Sequence, residues 1–192
     1  VLVLHLYRAN QNTVLVLVSS FPYTINWSND HLPAILHITH CSQEQGHAVA
    51  DALFGRINPA GRTTQTWVKD ILDLPAMMDY NIRNGRTYMY QQGDVLYPFG
   101  YGLSYNTYEY SNLKVDKTSA KGEEDSIVVS MDVKNNGSLE GKEIVQLYIT
   151  DLIASTSRPV IELKGFQKLD FKPGETRTVS FTVTPELLKF YG

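Results

Sequence analysis

At 192 residues the chain is long enough for one or two domains with a buried core, and its 43% apolar content excludes a disordered segment. A net charge of -3 without any Lys/Arg cluster argues against a nucleic-acid partner, and the longest apolar run, Val14 to Val18, is far too short for a membrane span. The single cysteine, Cys41, rules out an internal disulfide.

The chain opens at Val1 in an apolar stretch without the layout of a signal peptide, so its natural start is expected upstream. Val14–Val18 is an unbroken β-branched and leucine run, as in a central parallel strand covered on both faces. Pro33 to Ile38 reads as a second strand. Ser42-Gln43-Glu44-Gln45 then has the form of a capping box, with Ser42 as the cap and Gln45 three residues on. Ala48, Val49, Ala52 and Leu53 supply one apolar helical face, and Gly55 is placed to end that helix. Strand, helix and strand in this order indicate an α/β layer.

The next segment, Gly85 to Tyr105, packs glycines and aromatic rings around one proline. Eight of the twelve tyrosines fall between Tyr80 and Tyr110. Such a stretch is too rich in glycine for a helix and too aromatic for a solvated linker, so we expect an ordered strap whose rings pack. Beyond it the pattern changes. Residues 1–104 hold 13 charged side chains and all five histidines, whereas residues 105–192 hold 24 charged side chains. The first part therefore reads as a piece of a larger buried domain and the second as a small domain with ample wet surface.

In that second part Ile127, Val129, Met131 and Val133 alternate with polar residues, as do Val145, Leu147 and Ile149, then Val179, Phe181 and Val183. Asn135-Asn136-Gly137 and Lys172-Pro173-Gly174-Glu175 are reversal signals between them. Five or six strands of an antiparallel, immunoglobulin-like β-sandwich can be placed where seven are usual. The fold expected is a partial α/β domain (1–68), an aromatic and Gly-rich linker (69–104) and a β-sandwich (105–192) that lacks its last strand or strands.

The residues also carry a resemblance. VLVLVSSFPYTINW (14–27), LPAIL (32–36), QEQGHAVADALFGRINPAGR (43–62), DLPAMMDYNIRNGRTYMY (73–90) and LYPFGYGLSY (96–105) resemble, in order, glycoside hydrolase family 3. They correspond to the end of its second, α/β domain and the junction to its fibronectin type III-like domain. GKEIVQLYI (141–149) and LKGFQKLDFKPGET (163–176) are similar to that last domain. One departure is His40-Cys41-Ser42 where the family commonly has an aromatic-Pro-Gly run. The resemblance implies a retaining, exo-acting β-glucosidase or β-xylosidase without cofactor, with a periplasmic or secreted location favoured. The substrate would be an oligosaccharide bound by the full-length enzyme, and this chain would pack on an N-terminal barrel. It further implies that the Asp nucleophile and Glu acid/base lie outside this chain, which alone would be inactive. No catalytic, metal or cofactor-binding residue is therefore assigned.

Several side chains within the chain have chemistry of their own. Asp70, Asp73 and Asp79 offer carboxyls for acid/base work, but caps and turns in a connecting segment account for them better. Glu44 and Asp51 are read as helix capping and surface pairing. His37, His40, Cys41 and His47 lack the compact paired spacing of a zinc site. Arg86, Tyr88, Tyr90 and Tyr101 are candidate sugar-binding residues, because tyrosine rings stack on pyranose faces and a guanidinium donates several hydrogen bonds. The competing role for these rings is glue between the two parts, with the strap setting their orientation. Trp27 and Trp67 are read as core. A noncatalytic carbohydrate-binding or scaffold module is the alternative function, disfavoured because Tyr148, Phe166, Phe171 and Phe181 are scattered and mostly inward by pattern.

Overall fold

Strand β1 (Val14–Val18) and strand β2 (Ala34–Ile38) pair in parallel, from Val14 opposite Ala34 to Val18 opposite Ile38. These are the features of a computed structural model, which describes residues 1–122 and 124–190. Helix α1 (Leu2–Ala9) precedes β1, and α2 (Asn26–His31) lies between the strands. Neither short helix was read from sequence, since six or eight residues give too few turns to establish a 3.6 period. Helix α3 (Gln45–Leu53) follows β2 and ends as expected, with Gly55 in the left-handed region at φ 72°.

The start of α3 corrects the sequence reading. The N-cap is Glu44, which makes no side-chain cap bond, and Ser42 stands outside the helix. Gln45 does reach back with its side-chain oxygen, but to the backbone N–H of Cys41 at 3.1 Å. The bond expected of a capping box is made one residue upstream of the supposed cap.

Val1–Phe54 and Thr63–Tyr101 form one compact unit; Gly55–Arg62 joins Gly102 onward in a second. The short loop after α3, kept with the first part in the sequence reading, thus clusters with the sandwich residues. In this second unit β3 (Tyr108–Val115), β4 (Ile127–Asn135) and β7 (Thr176–Val183) form an antiparallel sheet in the order β3-β4-β7. Strands β5 (Gly141–Ile149) and β6 (Glu162–Phe171) make a second antiparallel pair. A last short helix, α5, covers Pro185–Leu188 with Thr184 as its cap.

The alternation read from sequence produces the core. Val133, Val145, Phe171 and Val179 are buried together, with Tyr108, Met131, Leu169 and Phe181 packed against them. Phe166 departs from its inward assignment: it pairs with Gln146 across the sheet and is exposed. Among the described residues no helix is long and apolar enough to cross a membrane.

Candidate functional site: the aromatic strap and its carboxylates

The strap is ordered because extended backbone pairs with it. Trp67 N–H donates to the Tyr97 carbonyl at 2.8 Å, and Leu96 N–H returns a bond to Trp67 at 2.7 Å. Further along, Thr63 N–H donates to Tyr101, Gly100 N–H donates to Thr63, and the Thr63 hydroxyl donates to the Pro98 carbonyl at 2.6 Å. Rings then stack along this ladder. Tyr88 lies flat on Phe99 at 4.1 Å between centroids, and Tyr97 on Tyr101 at 5.1 Å. Trp67, almost fully buried, meets Tyr97 and His37 edge-on. The Tyr97 hydroxyl donates to Asn29 Oδ1 at 2.8 Å, and burial pushes its ionisation above the ordinary tyrosine range.

The sugar-binding candidates fall into this frame unequally. The Arg86 guanidinium donates to the carbonyls of Asp79, Ala76 (2.6 Å) and Met77 (3.1 Å). It closes a backbone turn, which uses the fork that a ligand would need. Tyr88 has one face on Phe99. Against the expectation of no helix in the strap, one helical turn, α4 (Thr87–Tyr90), fits in the glycine-free stretch between Gly85 and Gly93, and Tyr90, at its end, is half-buried. Tyr101 has one face on Tyr97 and keeps over a third of its surface open, at 37%.

The three aspartates are committed locally. Asp70 caps the turn Ile71–Asp73, accepting from Leu72 N–H at 2.9 Å, while Asp73 accepts from Asp70 N–H at 3.0 Å. Asp79 accepts from Asn84 Nδ2 at 2.7 Å and from Asn81 N–H at 3.0 Å, beside the turn Ile82–Asn84. Those bonds, the Asn84 amide first, hold the Asp79 carboxyl below the usual carboxylate range. A general acid needs the opposite shift.

The histidine set is dispersed in role. His37 Nε2 meets the Ser19 carbonyl at 3.0 Å, and His47 pairs with Glu44 at 2.6 Å on an exposed face. Cys41 is exposed, and no group of three metal-binding side chains occurs among the described residues. Trp27 stacks on His31 at 4.5 Å, with Tyr7 edge-on.

One buried polar cluster went unread in the sequence. Arg62 donates to Glu143 Oε2 at 2.7 Å, and the Tyr110 hydroxyl donates to Oε1 at 2.7 Å. The two charged side chains are only 12% and 8% exposed. The signal was present: Glu143 shares its inward phase with Val145 on β5, and a charge at an inward position needs a buried partner.

Comparison with known proteins places these features. Residues 1–105 match the glycosyl hydrolase family 3 C-terminal domain, and residues 143–192 match a fibronectin type III-like domain. A beta-xylosidase of Formosa agariphila is 36% identical over 182 residues, covering 92% of this chain and 25% of the relative. Thermostable beta-glucosidase B of Acetivibrio thermocellus is 36% identical over 198 residues, covering 96% and 26%. The crystal structure of a beta-glucosidase from Kluyveromyces marxianus in complex with glucose superposes with a TM-score of 0.82 at 36% identity, over 95% of this chain and 23% of that one. The chain spans about a quarter of the length of the curated relatives it matches. The α/β unit and the aromatic strap fall within the first match and β6 and β7 within the second, and the chain belongs to glycosyl hydrolase family 3.

Proposed function

We propose that the chain is a C-terminal portion of a retaining, exo-acting β-glycosidase that removes terminal β-D-glucosyl or β-D-xylosyl residues. Relatives named as beta-xylosidase and beta-glucosidase support the substrate class. Retaining hydrolysis needs two carboxyls about 5–5.5 Å apart, one nucleophilic and one able to give and take a proton. The observation that carries the reading is the local commitment of Asp70, Asp73 and Asp79 to capping bonds, with Asp79 held in its charged form. The catalytic pair then belongs to another part of the longer enzyme. Leu72, Met77, Met78 and Tyr80, all widely exposed, supply apolar surface for the remainder of that enzyme to cover. Of the strap candidates, Tyr101 is the one with an accessible ring, so it is the first choice for a sugar contact ahead of Arg86 and Tyr88.

The test is hydrolysis of aryl β-glucoside and aryl β-xyloside by the purified, folded chain, alongside an enzyme carrying the upstream sequence. No turnover above buffer by the chain, with turnover by the longer enzyme, is expected. Turnover by the chain that disappears in D70N, D73N or D79N would place the active site here and overturn the proposal.

A further inference from the structure

The chain holds two Asn-Gly steps, Asn84-Gly85 and Asn136-Gly137, and both asparagines are exposed. Asn-Gly is the dipeptide most open to reaction with itself. With no Cβ on the glycine, its backbone nitrogen can reach the Cγ of the preceding side chain. Sequence and exposure make the two steps alike; their surroundings make them different.

Asn136 stands in a locked hairpin. The Gly137 N–H, whose nitrogen would attack, donates to Asn135 Oδ1 at 2.9 Å, and Asn135 is fully buried. The Asn136 N–H donates to the Thr107 carbonyl at 2.9 Å, and its side-chain amide donates to Glu109 Oε2 at the same distance. A Cβ on Gly137 would stand 2.2 Å from Asn106 Oδ1, so this peptide has a wall beside it and no room to swing. Closing a ring here requires breaking bonds to a buried amide, which is costly.

Asn84 ends the turn Ile82–Asn84. The Gly85 N–H is bonded too, to the Ile82 carbonyl, but it closes a single turn whose three residues are all exposed. Such bonds open at little cost because water takes their place. A Cβ on Gly85 would meet only Pro75 Cγ, at 4.0 Å, so the peptide is free to turn. The side-chain amide is held by one exposed bond, from Nδ2 to Asp79 Oδ2 at 2.7 Å.

We propose that Asn84 is a site of spontaneous deamidation, and that Asn135 shields Asn136 from the same reaction. The Gly85 nitrogen attacks Asn84 Cγ and forms the C–N bond of a succinimide. Nδ2 leaves as ammonia, and the proton that the Gly85 nitrogen gives up completes it. Water then opens the ring at either carbonyl, giving aspartate or isoaspartate, with nothing oxidised or reduced. The product sets a carboxylate against Asp79 where an amide donor stood, in the turn that Arg86 closes. Like charges that close repel, so the turn loosens as the protein ages. The inference does not depend on the glycosidase reading.

The test incubates the 192-residue chain at mildly alkaline pH, folded and in urea, and follows aspartate and isoaspartate at both positions by peptide mass mapping. The ratio of unfolded to folded rate gives the protection at each site and cancels the effect of neighbouring sequence. Protection at Asn136 is expected to exceed that at Asn84 by at least about tenfold, because its opening breaks bonds to a buried partner. Asn135→Ala, which removes the acceptor of the Gly137 N–H, should speed reaction at Asn136 several-fold and leave Asn84 unchanged. Equal protection at the two sites, or more at Asn84, would overturn the proposal, as would a folded chain that forms no product at Asn84. The wild-type ratio decides by itself, so failure of the variant to fold does not shelter the idea.

Discussion

Asn135 shows how much one side chain can organise. It is fully buried, donates to the carbonyls of Leu139 (2.9 Å) and Lys172 (3.2 Å), and accepts from Gly137 N–H at 2.9 Å. Both reversals flagged in the sequence therefore hang on the same amide. Asn135→Ala leaves the Gly137 N–H without its acceptor, while the Leu139 and Lys172 carbonyls keep bonds from Asn106 Nδ2 and Glu175 N–H, and should cost about 1–3 kcal/mol in chemical unfolding. Glu143→Ala, which leaves Arg62 buried and unpaired, should cost about 3 kcal/mol or more, with R62M/E143L recovering much of it. A double mutant no better than the single would show that packing, and not charge, sets the cost. Tyr110 adds a pH dependence. Burial first, then its bond to the Glu143 carboxylate, raises its ionisation above the ordinary tyrosine range. A raised folded value means the stabilisation is fully present below about pH 10 and is lost as pH climbs through the folded value. Y110F should flatten the alkaline arm of a stability-against-pH curve.

Among the elements, two glycines with opposite surroundings make a matched pair. A Cβ added to Gly46, in the first turn of α3, meets nothing within 4 Å, whereas one added to Gly102 would stand 2.2 Å from the Gly61 carbonyl oxygen. Gly46→Ala should stabilise by about 0.5 kcal/mol through helix propensity. Gly102→Ala should destabilise by about 1–3 kcal/mol, because backbone must move where the 55–62 loop meets the segment entering β3. Equal midpoints for the two variants in thermal unfolding would remove the close approach as an explanation. Strand identity was legible here because the period of two survives any context. Helix starts were not: the Ser42 box was overridden because the chain at 42–44 turns before the helix begins.

For the molecule as a whole, the first unit exposes an apolar run that no described residue covers: Leu72, Met77 and Met78 are 86%, 86% and 78% accessible. Substituting all three with Lys removes no packing, so solubility should rise and dye binding to apolar surface should fall at an unchanged unfolding midpoint. A lowered midpoint would mean that these side chains carry stability within the chain itself.

Strands β1, β2, β4, β5 and β7, both reversals of the sandwich, the ordered strap and the family were legible along the chain, because each depends on local periodicity, turn chemistry or a run of matched residues; β3 and β6 were not named from the pattern. The capping and turn bonds of Asp70, Asp73 and Asp79 were also legible, since carboxylates beside short turns usually cap them. That Arg62 meets Glu143 across 81 positions of chain, and that Arg86 closes its own turn, emerged from the folded arrangement alone. Burial and partnership of a charge are properties of three-dimensional neighbours, and spacing along the chain carries no record of them.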